Sequence, residues 1–292
     1  MDLALLETLV AVVEEGGFSS AGQKLHRTQP AISLALKRLE AELGEKLVDR
    51  SSKSLVLTDA GHLVLDYARR FGGLEQELRN ALAELRDKRA GKLTIGANES
   101  TALYLLVHIE AYRRLYPGVK VEIRRSLSSR IPEAVLNGPL DLGAISYAPR
   151  HPDIVINEIY NDRLIFIVSP RHRLAGRDAV SITELGMEQF IAHNVVSPYR
   201  QQVIDTFRRH KVPLNMEVEM PTIETIRKLV QLNMGVAFLP KMCVEQELAA
   251  GVLKEVRVEE MQMERKIRLV HAAKRQLSYA AQAFLEVVGR GE

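Results

Sequence analysis

The sequence predicts a mixed fold in three parts: an all-α domain carrying a two-strand wing (residues 1–58), a long linker helix (59–90) and a two-lobed α/β domain (91–292). Three observations carry this. Between 18 and 43, two short amphipathic stretches flank a tight turn; from 59 to about 89, apolar residues recur four, three, four, three and four apart; beyond 91, short strand-like runs alternate with helical ones.

Leu3, Leu6, Val10 and Val13 form one stripe on a first helix, closed by Gly16 and Gly17. Ser19 or Ser20 is placed to cap a second helix running to Leu25, with Phe18 as a hydrophobic staple. His26 and Arg27 make a turn. Thr28 caps a third helix to about Leu43, in which Pro30 is tolerated because first-turn amides have no intrahelical partner. Ile32, Ala35, Leu36, Leu39 and Leu43 face inward, leaving Gln29, Pro30, Ser33, Leu34, Lys37 and Arg38 on the other face. Small polar groups followed by cations on an angled helix suit the DNA major groove, where Gln and Ser reach base edges and Lys and Arg take phosphates. Ser20, Arg27 and Thr28 flank that face. The plain alternative is a helical hairpin with a solvated side.

Leu47 and Val48, the polar turn Arg50 to Ser54, and Leu55 to Leu57 make the wing, so Arg50 and Lys53 extend the DNA-facing side. Residues 1–60 hold seven Lys or Arg against nine Asp or Glu, a net charge of −2 that is unusual for a nucleic-acid module. The cations are segregated: Lys24, Arg27, Lys37 and Arg38 lie in a stretch, Ala21 to Leu39, that contains no acid. Binding by one copy is then weak, and two copies are needed for enough phosphate contacts.

Thr58 caps the linker helix, with Gly61 in its first turn. Tyr67, Phe71, Leu74, Leu78, Ala81 and Leu85 form a coiled-coil seam that either packs on its own domain or pairs with a second copy. Pairing would set two recognition helices about 34–36 Å, or a multiple of that, apart along DNA. The KRAGK run, Lys88 to Lys92, reads as a hinge. Strands are expected at Leu93 to Gly96, Val119 to Arg124 and Leu140 to Ile145, with helices through Tyr116 and from Ile131 to Leu136, which implies a parallel sheet. A second unit of the same kind begins near Asp162. It has strands at Leu164 to Val168, Phe190 to Ala192, Met216 to Met220 and Val236 to Leu239, and helices at Arg200 to His210 and from Thr222 to Leu232. One more strand, Lys266 to Ala272, and a last helix, Tyr279 to Val288, complete the chain.

The string AGQKLHRTQPAISLALKRLEAELGEKLVDR, followed by LVLTDAG, resembles the winged helix-turn-helix of LysR-type transcriptional regulators, and the resemblance extends over essentially the whole chain. It implies a type II periplasmic-binding-protein-like effector domain. Lobe I (91–161 and 267–292) takes back the C-terminal segment, lobe II spans 162–266, and two crossing strands join them. It also implies a regulator that binds operator double-stranded DNA as a homodimer or homotetramer, answers to a small-molecule effector and has RNA polymerase as a partner. The chain departs from the family pattern at Gly22, where a second alanine is usual and which should loosen its helix, at Leu34, often polar or cationic, and at Val48, commonly Phe.

Ligands of open α/β sheets sit beyond the carboxyl ends of strands, against helix N-termini. Four segments qualify: Asn98, Ser100 and Thr101; Ser128 and Ser129; His193, Ser197 and Arg200; Thr222 and Ile223. By resemblance they line the effector cleft, and their hydroxyls, helix ends and Arg200 favour an anion. Each Ser or Thr has the plainer reading of a helix cap, and Arg200 that of pairing with a surface acid.

No metal, cofactor or catalysis is expected. The eight histidines show no metal-ligand spacing, and no GxSxG, GxGxxG or GxxxxGK[ST] string occurs. Cys243, the single cysteine, cannot form an internal disulfide and reads as a buried structural residue. Acids at Asp2 and Glu7 and the lack of a long apolar run argue against a signal peptide and a membrane span, so a cytoplasmic protein is expected. Two rivals stay open: a ligand-binding protein whose N-terminal helices serve only assembly, and an enzyme on the same scaffold.

Overall fold

The computed structural model describes residues 2–49, 55–86 and 91–289. The N-terminal domain comprises α1 (Leu3–Glu14), α2 (Phe18–Lys24), α3 (Gln29–Leu43), β1 (Val48–Asp49) and β2 (Val56–Leu57), the two strands pairing antiparallel as a wing. Its core joins Leu5, Leu6 and Leu9 of α1 to Leu36, Leu39 and Leu47. The expected α1 stripe is met in part: Leu6 is buried and Val10 and Val13 pack partly buried against this core, but Leu3 is exposed, and Leu5, Leu9, Ala11 and Val12 are buried as well. A helix that is apolar almost all round does not reveal its inward face by spacing alone. The serine cap on α2 is also not found. Gly17 occupies the N-cap without a side-chain bond, and Ser19 and Ser20 lie inside the helix. Thr28 does cap α3, accepting from Ala31 N at 3.4 Å. Leu43, expected to face inward, is exposed at the α3 terminus, and Glu40 is buried, its carboxylate accepting from Leu47 N (3.0 Å) and Val48 N (3.4 Å) and tying α3 to the wing. Gly22 does not merely loosen α2: a Cβ there would lie 2.7 Å from the Arg27 carbonyl oxygen, so this turn passes closer to the helix than an alanine would allow without a shift.

The linker helix α4 (Asp59–Arg86) starts at the Thr58 cap, whose Oγ1 accepts from Gly61 N at 2.9 Å. It is in contact with the C-terminal domain: a Cβ at Gly73 would lie 2.6 Å from the Gly138 Cα, so the two backbones meet where neither residue carries a side chain. Arg275 braces that contact, donating to the Gly138 (3.2 Å) and Leu140 (3.1 Å) carbonyls and to Asp141 (2.7 Å).

Lobe I contains β3 (Gly91–Ala97), α5 (Glu99–Leu115), β4 (Val119–Arg125), α6 (Ile131–Leu136), β5 (Leu142–Ile145) and the first half of β6 (Ile154–Val168). Lobe II is made by the rest of β6, β7 (Ala179–Val180), β8 (Gln189–His193), α7 (Pro198–Arg209), β9 (Asn215–Met220), α8 (Ile223–Gln231), β10 (Ala237–Pro240), α9 (Glu245–Ala249) and β11 (Lys254–Val258). The chain returns through β12 (Met263–Ala272) to α10 (Tyr279–Gly289) in lobe I. Strand order is β4-β3-β5-β12-β6-β11-β7, with β10 also on β6 and β8 beside β9. As expected, β3 runs parallel to β4 and β5.

Lobe II departs from a simple repeat of that unit, because β10 and β11 both pair antiparallel with β6. The expected strand at 164–168 is the end of a 15-residue strand that begins at Ile154, and β7 and β11 had no counterpart in the sequence reading. Strands β6 and β12 pair antiparallel from Leu164–Met263 to Ile154–Ala272, with a register break between Ile267 and Arg268. These are the two strands crossing between lobes. The lobe I core centres on Leu93, Ile95, Leu105, Tyr112, Leu142 and Phe284, and lobe II on the rings of Phe166, Phe190, Phe207 and Phe238. Among the described residues no helix is long and apolar enough to cross a membrane.

Candidate functional site: a groove-reading helix and an interlobe cleft

The outer face of α3 is assembled as expected: Gln29, Pro30, Leu34, Lys37 and Arg38 are exposed, Ser33 is partly so, and Ser20, Arg27 and Thr28 flank it in the open. Leu34 stands 52% exposed in the middle of this polar face. One expected cation is diverted. Lys24 pairs with Glu14 (3.0 Å) and Glu15 (2.8 Å) at the end of α1, so the positive field rests on Arg27, Lys37 and Arg38. Arg50 and Lys53 lie outside the described residues. On α4, Tyr67, Phe71, Leu74 and Leu78 are all exposed, together with Ala81, so the seam does not pack on its own domain; the Leu85 side chain lies outside the described set.

Between the lobes lies a cavity of about 1120 Å³. Its floor is apolar, with Phe190 and Phe238 stacked 5.7 Å apart beside Leu164 and Met216. Its rim is polar. Asn98, Ser100, Ser128, Ser129, His193, Ser197, Arg200 and Ile223 all line it, so all four expected segments reach the cleft, the last through Ile223 alone. Thr101 and Thr222 do not. Thr101 is fully buried, its Oγ1 donating to the Ala144 carbonyl at 3.1 Å, and Thr222 is spent on capping α8 through Thr225 N (3.2 Å). Ser197 lines the cleft but also caps α7 through Arg200 N (3.1 Å). Arg200 takes the plainer of its two readings: it pairs with Glu219 and donates to the His193 carbonyl at 2.8 Å.

The cation that best serves the cleft was not among the expected residues. Arg265 of β12 is 4% exposed, donates from Nη2 to Ser100 Oγ at 3.1 Å, and lies 5.1 Å over the Tyr199 ring. Its Nε stands 3.5 Å from Asp162 Oδ2 without a hydrogen bond. Burial raises the Asp162 carboxyl above its ordinary range, opposed by Arg265. Glu99 was also missed. From the first position of α5 its Oε1 accepts from Ile223 N (2.8 Å) and its Oε2 from His193 Nε2 (3.2 Å), both in lobe II. His193 Nδ1 accepts from Val195 N at 3.3 Å, which places the ring proton on Nε2. Tyr199 adds a third fastening across the cleft, donating to the Ser146 carbonyl at 2.6 Å.

Cys243 is buried, and burial pushes its thiol up to about 12, in line with a structural residue. No cluster of His, Cys, Asp and Glu able to hold a metal occurs among the described residues.

Known proteins share this architecture. Residues 3–62 match the model of bacterial regulatory helix-turn-helix proteins of the lysR family, and residues 86–291 that of the LysR substrate binding domain. The "Probable RuBisCO transcriptional regulator" of Cyanophora paradoxa is 32% identical, covering 98% of this chain and 90% of its own length. Its namesake in Synechocystis sp. is 30% identical over 97% and 84%. Among solved structures, CbnR, a LysR family transcriptional regulator, aligns with TM-score 0.70 at 21% identity over 99% of both chains. The Synechocystis PCC6803 CcmR regulatory domain, in complex with 2-PG, aligns with TM-score 0.61 at 25% identity over 68% of this chain and 95% of its own. A winged helix-turn-helix, a long linker helix and a two-lobed α/β domain joined by crossing strands, matched from end to end by these regulators, place the chain in the LysR family of DNA-binding transcriptional regulators.

Proposed function

We propose that the chain binds operator DNA through α3 as a homo-oligomer paired along α4, and that a small anion held between the lobes changes that binding. The observation that carries this is the α3 face, on which Gln29 and Ser33 precede Lys37 and Arg38 on one exposed side of a helix whose other side is buried. Gln29 and Ser33 reach base edges, Leu34 meets a thymine methyl, and Ser20, Arg27, Thr28, Lys37 and Arg38 hold the backbone, with Arg50 and Lys53 of the wing beside them. In this division of labour residues 1–58 read DNA, 59–90 pair the copies, and 91–292 sense the effector. The uncovered α4 seam supports a dimer, and a tetramer would pair two such dimers. RNA polymerase is the further partner of an activator, and the cytoplasm is the compartment that offers both.

The effector acts by population shift: it favours one degree of lobe closure and moves the equilibrium only as far as its affinities for the two states differ. Buried Arg265, the start of α8 and an apolar floor support an organic anion in the cleft. The 2-PG held by the CcmR regulatory domain is the first molecule to try. Fluorescence anisotropy with the duplex beside its own gene, and with a RuBisCO control region suggested by the relatives' name, tests the first half against a scrambled duplex. Specific binding to one of them, with a footprint or bend angle that changes on adding 2-PG, supports the proposal. Equal weak binding to all duplexes, or footprints indifferent to every anion, counts against it.

A further inference from the structure

Four groups concentrate positive potential at one point of the cleft. Helix α5 begins there, its N-terminus set by Asn98, whose side chain accepts from Thr101 N (2.9 Å) and donates to Ser128 Oγ (2.8 Å). Helix α8, nine residues long, begins there from the other lobe and directs its first amide, Ile223 N–H, inward. His193 offers Nε2–H, and the 96% buried guanidinium of Arg265 is held on the neighbouring Ser100, its Nε 3.5 Å from the Asp162 carboxylate but hydrogen-bonded to nothing. Two helix dipoles with their positive ends converging, a ring N–H and a buried cation form an anion site. The anion already in it is the protein's own: the Glu99 carboxylate takes both lobe II donors, one on each oxygen.

We infer that Glu99 is a resident anion of the effector cleft, occupying from lobe I the donor pair of Ile223 N–H and His193 Nε2–H, so that an effector oxyanion binds only by displacing it. This rests on the anionic-effector reading above and gives it a sign. The same carboxylate that fastens the lobes without ligand competes with the ligand, so the free energy of this fastening is subtracted from effector affinity. A small oxyanion replaces Glu99 group for group, because its two oxygens accept the same two hydrogens.

The test uses the full-length protein and calorimetric titration with inorganic phosphate and with succinate, comparing wild type with Glu99→Gln and Glu99→Ala. Thermal unfolding of each variant shows that it is folded. With a charge-assisted hydrogen bond worth about tenfold or more in affinity, Glu99→Ala is expected to bind at least one of the two anions about tenfold or more tighter than wild type, and Glu99→Gln, which keeps one acceptor oxygen, to fall between. Affinity in Glu99→Ala within about twofold of wild type would show that the anion sits elsewhere in the cavity and would overturn the inference. Weaker binding in both variants would make Glu99 an acceptor for the effector, again overturning it. Absence of anion binding in all three folded proteins would overturn the anionic reading of the cleft itself, and this inference with it.

Discussion

Removing the Lys37 ammonium by Lys37→Ala gives the sharpest test of the α3 interface, because its effect is written in a slope. Arg27, Lys37 and Arg38 are exposed and form no ion pair among the described residues, whereas Lys24 is held by Glu14 and Glu15. A dimer that seats these three cations of each copy on phosphates makes about six contacts, so log K against log salt has a slope of about −5.4. Affinity then drops by about 2,000-fold between about 50 and about 200 mM salt. Lys37→Ala removes two contacts per dimer, leaving a slope of about −3.6 and a drop of about 150-fold over the same range. The Lys37 side chain is solvated, so the substitution should leave the unfolding free energy unchanged within about 0.5 kcal/mol. Anisotropy on a specific duplex at four or five salt concentrations reads the slope directly. A slope unaltered by Lys37→Ala would mean that this face does not meet the phosphates, and the assignment of α3 to the groove would fall.

Three further outcomes are expected. Glu40→Ala strands the Leu47 and Val48 amides, at about 1–3 kcal/mol for each buried donor left unpaired, so the N-terminal domain should unfold earlier in a thermal scan and Glu40→Gln should lose less; an unshifted scan would refute the tie between α3 and the wing. Cys243, its thiol pushed up to about 12 by burial, stays protonated at pH 8 and should resist iodoacetamide in the folded protein while reacting in denaturant; fast native labelling would show that β10 and α9 open readily. The Lys92 and Arg124 hydrogen bonds lower Glu122 from near 4.5 to about 2, so its stabilisation is present above the unfolded value and lost as pH falls through the folded one; the stability difference between wild type and Lys92→Met should shrink from pH 5 towards pH 2, and a difference independent of pH would contradict the pairing.

How much of this fold was legible depends on how local each determinant is. Thr28 and Thr58 were readable as caps because the acceptor and the amide it serves lie three residues apart. The β3-α5-β4-α6-β5 unit was readable because strand and helix periods alternate without ambiguity. Helix α1 was phased only in part, since Leu3, Leu5, Leu6, Leu9, Val10, Val12 and Val13 cover most of the helix: Leu6, Val10 and Val13 do pack on the core that Leu36 and Leu39 share, but Leu3 does not, and Leu5, Leu9 and Val12 are buried beyond the expected stripe. Strand β6 was cut short for a related reason. Its first half, IVINEIYN, alternates with polar residues like a loop edge, and its identity as a strand comes from pairing with β12 more than a hundred positions away.

The cleft divides along the same line. Asn98, Ser128 and His193 announced themselves as polar residues following strands, and the structure brings them together. Glu99 and Arg265 carried no such signal. An acid at the first position of a helix has a sufficient local explanation in the helix dipole, and Arg265 lay one residue before the expected strand Lys266 to Ala272, although its alternation places it on the face of Met263, Ile267 and Leu269. Their importance is created by closure: Glu99 meets Ile223, 124 positions distant, and Arg265 meets Ser100, 165 positions distant, only because β6 and β12 carry the chain across and back between the lobes. Arg200 errs in the opposite direction. It stands at a helix start facing a cleft, as an anion-binding arginine would, but Glu219 at the end of β9 lies within reach and neutralises it. A charge in a two-lobed receptor is therefore assigned by the partner that the fold delivers to it: Arg200 is hydrogen-bonded to Glu219, whereas Arg265 stands 3.5 Å from Asp162 without a hydrogen bond and reaches across to Ser100.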